Sequence, residues 1–208
     1  DRQSLGSSRV TSLALGSDGV IWIGTWIGGL SSHDPSAAMI RTLRHQNGDS
    51  NSLPADPVVA IEPDPDGSVW LALGESAGLV QMDPERGVLK HHAYRRGAGS
   101  GLASDYLLSL ARDRDGSLWI GSGDRGLDRL DPATGQFTHY GFGSTDDLPG
   151  PTVRALLVTR AGDLIVGTLG HGLAERCAGC TGCTGRGEGS ATVSWRLPPG
   201  ECGETGAA

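Results

Sequence analysis

Long apolar runs are missing from this 208-residue chain. None approaches the roughly 18 consecutive apolar residues of a membrane-crossing helix. Lysine is almost missing: Lys90 is the exception among seventeen basic residues, the arginines are scattered, and the net charge is -7. No basic stripe is offered to phosphates, so nucleic acid is not an expected partner. Cysteine does not occur before Cys177, which is compatible with an oxidising compartment without requiring one. The opening Asp1-Arg2-Gln3-Ser4 lacks the basic start and apolar stretch of a secretion signal. The metalloprotease H-E-x-x-H and the phosphate-binding G-x-x-x-x-G-K-S/T are absent, and no G-x-S-x-G nucleophile elbow or other nucleophile arrangement is expected. The chain is therefore expected to be non-catalytic and to need no cofactor.

What is abundant is glycine, 34 residues, about twice the usual share of roughly 7%. The 37% apolar content and five tryptophans are too much for a disordered tract, so glycine must punctuate many short folded elements. One pattern recurs: Asp18-Gly19-Val20-Ile21-Trp22-Ile23-Gly24-Thr25, Asp66-Gly67-Ser68-Val69-Trp70-Leu71-Ala72 and Asp115-Gly116-Ser117-Leu118-Trp119-Ile120-Gly121-Ser122. A degenerate copy is Gly162-Asp163-Leu164-Ile165-Val166-Gly167-Thr168, which reads as an inverted Asp-Gly. The spacings from Trp22 to Trp70, Trp119 and Ile165 are 48, 49 and 46 positions.

The flanks repeat in step. An apolar alternation precedes each copy, as in Val10-Thr11-Ser12-Leu13-Ala14-Leu15, and Gly-Leu follows at Gly29-Leu30, Gly78-Leu79, Gly126-Leu127 and Gly172-Leu173. The first three copies then reach Asp-Pro, at Asp34-Pro35, Asp83-Pro84 and Asp131-Pro132, where a strand should stop because proline cannot donate to the ladder. A short fourth segment, such as Gln136-Phe137-Thr138-His139-Tyr140, completes the unit. The Asp-Gly pairs suit hairpins needing positive φ. Four short antiparallel strands per 40 to 50 residues is the pattern of a propeller blade. The expected fold is all-β: a β-propeller fragment of about three and a half to four four-stranded blades, over residues 5–52, 53–101, 102–148 and 149–176.

This frame resembles the two-component regulator propeller repeat, over roughly residues 5 to 175. The resemblance implies an extracytoplasmic ligand-sensing or protein-interaction module of a bacterial two-component sensor histidine kinase. It further implies a periplasmic position in an inner-membrane receptor, a small ligand of carbohydrate type, remaining blades and a kinase part elsewhere, and a homodimeric parent. Streptogramin lyases carry a similar propeller and form the enzyme alternative, for which His171 is thin support.

Trp22, Trp70 and Trp119 are expected to pack between blades. Gly24, Gly74 and Gly121 are expected to relieve crowding there or to shape the next turn. Candidate ligand contacts are the residues that vary inside a fixed frame between the second and third strands: Trp26, Glu75, Asp124, Arg125 and His171. The tail, residues 177–208, is Gly- and Cys-rich with little apolar content. It is expected to be disordered or non-native, with residues 191–197 as one strand candidate. Cys177, Cys180, Cys183 and Cys202 have a spacing that thiolate metal sites use, but the fourth is distant and no metal is expected. The arc is expected to be truncated at both ends, and to be poorly soluble or to self-associate through uncovered faces.

Overall fold

The computed structural model describes residues 5–37, 39–96, 101–142 and 148–176. Each repeat folds as an antiparallel meander because period-2 apolar segments are separated by turn residues. Blade 1 comprises β1 (Val10–Leu15), β2 (Ile21–Thr25), β3 (Leu30–Asp34) and β4 (Met39–Leu43). Blade 2 comprises β5 (Val58–Pro63), β6 (Val69–Leu73), β7 (Gly78–Asp83) and β8 (Gly87–His92). Blade 3 comprises β9 (Leu107–Arg112), β10 (Leu118–Ser122), β11 (Leu127–Asp131) and β12 (Gln136–Tyr140). Blade 4 has β13 (Val153–Val158), β14 (Leu164–Thr168) and β15 (Gly172–Arg176) among the described residues. The strand candidate at 191–197 and the four cysteines lie outside the described residues.

The first hairpin of every blade is closed identically. Gly19, Gly67 and Gly116 adopt φ of 84°, 88° and 88°, a conformation open to glycine at little steric cost. Each donates its N–H to the carbonyl three residues back, that of Gly16, Asp64 or Asp113. Gly162, at φ 96°, makes the same bond to Thr159. This corrects the inverted reading of the fourth copy: Ala161-Gly162 stands where the others have Asp-Gly, and Asp163 follows the turn. Ala161 cannot supply the side-chain acceptor that Asp18, Asp66 and Asp115 give to the backbone N–H two residues on. The Asp-Pro signal likewise acts as expected. Asp34, Asp83 and Asp131 end their strands and accept the N–H of Ser36, Glu85 and Ala133 at 2.8, 2.8 and 2.9 Å.

The core lies between blades, in three clusters. Trp22 and Leu30 of blade 1 meet Val58, Ile61, Leu71 and Val80 of blade 2. Trp70, Ala72 and Leu79 meet Leu107, Leu110, Leu118 and Ile120. Trp119 and Leu127 meet Val153, Leu164, Val166 and Ala174. The repeated tryptophans are thus packing residues, each facing the following blade. A Cβ on Gly24 would come 2.8 Å from Val58 Cγ1 and one on Gly121 would come 2.6 Å from Val153 Cγ1, so these glycines admit the next blade. Gly74 instead lies against Pro57 in a turn. The inner strands pack in series, β1 on β5, β5 on β9 and β9 on β13. Among the described residues, no comparable packing joins the strands of blades 1 and 4.

Candidate functional site

Meander topology places the second-to-third-strand turns of all four blades on one face, beside the segments that lead into the inner strands. A repeated hydrogen bond fixes this arrangement. Trp26, Gly74, Gly123 and Leu169 donate their N–H to the carbonyls of Arg9, Pro57, Tyr106 and Thr152, each the residue just before an inner strand, at 2.8–3.0 Å. In three blades a hydroxyl locks the turn as well. Thr25 Oγ1, Ser122 Oγ and Thr168 Oγ1 donate to the carbonyls of Gly29, Gly126 and Gly172 at 3.0, 3.1 and 2.9 Å. Rigid turns thereby carry different side chains on one scaffold.

Blade 2 departs from this plan. Leu73 replaces the hydroxyl residue and the turn is one residue longer, with Glu75 and Ser76 at φ 54° and 60°. Two consecutive positive φ values and the Ala77 N–H to Gly74 carbonyl bond define a type I′ turn. Gly74-Glu75-Ser76-Ala77-Gly78 also has the letters of a G-x-S-x-G nucleophile elbow. That motif needs a strand, a sharp turn and a helix, whereas this segment joins β6 to β7. The nearby His91 gives Nε2 to the Ala77 carbonyl at 2.7 Å.

The five candidates sit on the four turns of this face, Asp124 and Arg125 sharing one. Trp26 is 42% exposed, with the Arg9 guanidinium 5.6 Å from its ring centroid. Glu75 projects from the strained turn. Asp124 and Arg125 form an exposed pair at 3.9 Å, and Ser104 Oγ donates to Asp124 Oδ1 at 2.5 Å. His171 gives Nδ1 to the Leu169 carbonyl at 3.1 Å and lies against Gly150, where a Cβ would come 2.4 Å from the ring. Asp124 and Arg125 are the pair in direct contact. Cavities of about 790, 330 and 250 Å³ flank the junction of blades 1 and 2, and none of the five lines any of the three.

Several residues outside that set complete the face. The ring of exposed Tyr106 covers Gly123, where a Cβ would come 2.2 Å from it. Thr152 Oγ1 donates to the Gly123 carbonyl at 2.7 Å and Gly126 N–H to the Pro151 carbonyl at 2.8 Å, so the blade 3 turn is clamped from its own blade and from the next. Beneath it, buried Asp128 accepts the N–H of Ala103 at 2.9 Å and pairs with His139 Nδ1 at 2.7 Å. Burial raises the Asp128 pKa against these two partners. The register could have shown both features. Tyr106 holds the place of Arg9, Pro57 and Thr152, and Asp128 puts a charge where the other repeats have Ser31, Val80 and Ala174. Among the described residues no three His, Cys, Asp or Glu side chains gather as a metal site, and no helix is long and apolar enough to cross a membrane.

Residues 4–27 and 101–124 match the family described as two component regulator propeller. These segments hold the inner strand and Trp-containing strand of repeats one and three. Many solved structures share the fold. The extracellular domain of the hybrid two-component system BT3049 of B. thetaiotaomicron is 24% identical with a TM-score of 0.71, over 84% of this chain and 24% of that one. The extracellular domain of the one-component system BT4673 from the same organism is 21% identical with a TM-score of 0.63, over 85% of this chain and 23% of that one. The WD40 repeats of RRP9 are 15% identical with a TM-score of 0.56, over 81% of this chain and 47% of that one. This chain spans about a quarter of the length of the first two. No curated protein sequence matches it.

Proposed function

We propose that this arc of two-component regulator propeller repeats is part of the extracytoplasmic sensor region of a bacterial two-component receptor, and that its turn face contacts the ligand. The carrying observation is the turn face itself: one hydrogen-bonded frame, repeated four times, presents Trp26, Glu75, Asp124-Arg125 and His171 in turn. Variation confined to rigid turns is what selective binding requires, while the frame residues are consumed by packing. The matched repeat family and the extracellular two-component neighbours support the signalling context. In this reading the kinase belongs to another part of the receptor, which dimerises, and the arc stands in the periplasm. A carbohydrate is the favoured ligand class, because the rings of Trp26 and Tyr106 can cover sugar C–H faces while Arg9, Asp124 and Arg125 meet hydroxyls. The lyase alternative rests on His171 alone, whose Nδ1 meets the Leu169 carbonyl.

The test is thermal-shift titration of the 208-residue chain with a panel of plant-wall and host-glycan oligosaccharides. At least one is expected to raise the melting temperature in a saturable way, with the shift lost in Trp26→Ala and Arg125→Ala. A panel without effect, or a shift that survives both substitutions, would remove the turn face as a sugar site.

A further inference from the structure

In blades 2 and 3 the repeated tryptophan has two polar companions from its own blade. One stands before the first hairpin and receives the indole N–H: Asp64 for Trp70 and Asp113 for Trp119, at 3.3 and 3.0 Å. The other stands opposite the tryptophan on the third strand, Gln81 in blade 2 and Arg129 in blade 3. Gln81 is 7% exposed and donates Nε2 to Ser68 Oγ at 3.0 Å. The Arg129 guanidinium lies 5.3 Å from the Trp119 ring centroid and pairs with Asp115.

Blade 1 has neither companion. Gly16 and Ser32 hold the two places, yet Trp22 is only 3% exposed. Its Nε1 lies 3.4 Å from the point where a Cβ on Gly16 would stand, and among the described residues no acceptor meets it. Open space replaces the two missing side chains. A cavity of about 250 Å³ is lined by Gly16 and one of about 330 Å³ by Ser32, and Trp22, Asp18 and Gly67 border both. The first hairpins put this hollow on the face opposite the variable turns. Its walls come from blades 1 and 2, so it lies inside a junction that the chain completes and at neither of its ends.

We propose that the hollow beside Trp22 is a binding site for a single neutral sugar ring or a cyclic polyol of that size. It is separate from the turn face and does not rest on that face binding anything. The lining charges decide the class. Asp18, Asp34, Asp64, Asp66 and Glu85 line the two cavities, and Arg41, the cation among the lining residues, is paired with Glu85. Carboxylates repel an anion, and a group that only donates would leave the buried indole N–H unpaired. A hydroxyl accepts from Trp22 and donates to a carboxylate at once. Asp18 uses Oδ1 on the Val20 N–H at 3.0 Å and has Oδ2 for this purpose. The larger cavity is near the lower end of the roughly 300–1,000 Å³ common for ligand sites, which suits one ring.

The test is NMR of the 208-residue chain labelled with ¹⁵N at tryptophan, which reads the indole N–H signals one by one. D-glucose, D-galactose, D-xylose and myo-inositol are added in turn to about 50 mM, enough to populate a site of millimolar Kd. At least one is expected to move the Trp22 signal in a saturable way, and Trp22→Phe assigns that signal. Ser32→Gln, which gives blade 1 the side chain of blade 2, should abolish the shift, with unchanged Trp70 and Trp119 signals as the check on folding. Ser32→Arg copies blade 3 and is the second filler. Trp26→Ala, on the turn face, should leave the Trp22 response intact, so this site and the turn face stand or fall separately. A Trp22 signal unmoved by all four compounds would assign the hollow to water and overturn the proposal. Movement of Trp26 alone, or a Trp22 shift that survives both fillers, also overturns it.

Discussion

Among the described residues, blades 2 and 3 have a neighbour on both sides, and blades 1 and 4 have one each; their second strands record the difference residue by residue. Every residue of Val69–Leu73 and of Leu118–Ser122 is buried. In Ile21–Thr25 the two isoleucines are only half-buried, and in Leu164–Thr168 so are Ile165, Gly167 and Thr168. Polar detail differs too. The indole N–H groups of Trp70 and Trp119 donate to Asp64 and Asp113 at 3.3 and 3.0 Å, while Gly16 and Thr159 hold the acceptor's place in the outer blades. Arg112 of blade 3 reaches back to Asp64 of blade 2 at 2.6 Å, tying the central junction together. Similar aliphatic residues at one register position, Leu13 and Ile61, are therefore left open or buried according to what stands beside the blade. Burial in this fold is a property of the junction.

The largest expected effect follows from that contrast. Trp70→Ala removes a fully buried indole from the central junction and should lower unfolding free energy by about 3–5 kcal/mol. Ile165→Ala, at the same register on the open face of blade 4, should cost about 1 kcal/mol, because little area is lost from a closed core. Urea midpoints followed by circular dichroism, below the concentration of any self-association, check the ratio. Equal costs would show that the open face is covered in solution and would dissolve the comparison.

Most of the fold could be read from the chain because the repeat writes each strand with its own stop: Asp-Gly for the hairpin, Gly-Leu to resume and Asp-Pro to end. The fourth copy misled at one turn, since Gly162 supplies the positive φ while the adjacent Asp163 closes the turn from its far side through hydrogen bonds with Thr159. The candidate site was only half legible. Variable turn residues can be listed from a repeat alignment, but the clamp on Gly123 by Tyr106 and Thr152 joins segments 17 and 29 positions away, and no local pattern encodes it. The type I′ turn at Glu75-Ser76 was hidden for another reason, as neither residue favours positive φ.

A second, smaller effect tests whether the inner junctions are uniformly favourable. Glu62, on β5 near Arg112, has its pKa pushed up to about 7, first by burial and then against the Arg112 backbone and charge. The folded state thus holds the proton more tightly than the unfolded chain, whose carboxyl titrates near 4.5. Stability is highest below that lower value, falls as pH rises towards 7 and stays low above it. Glu62→Gln cannot ionise. It should be more stable than the parent by about 1–3 kcal/mol above pH 7 and indistinguishable from it below pH 4.5, in the range that a rise from 4.5 to about 7 supports. Denaturant midpoints across that window measure the difference, and a pH-independent gap would place the cause in packing.

The smallest expected effect separates turn strain from junction packing within blade 2. Among the described residues its turn alone has non-glycine residues at positive φ, 54° at Glu75 and 60° at Ser76, each costing about 1 kcal/mol relative to glycine. Ser76→Gly removes one such cost but gives the unfolded chain more freedom, so a net gain of about 0.5 kcal/mol is expected. Ser76 is exposed and belongs to none of the three clusters, so the gain should appear unchanged when combined with Trp70→Ala. If the two substitutions fail to add, the turn is coupled to the core through the Gly74 N–H to Pro57 carbonyl bond. Strain would then be transmitted from the exposed turn face into a blade junction, which is the coupling a sensor built on this arc would need.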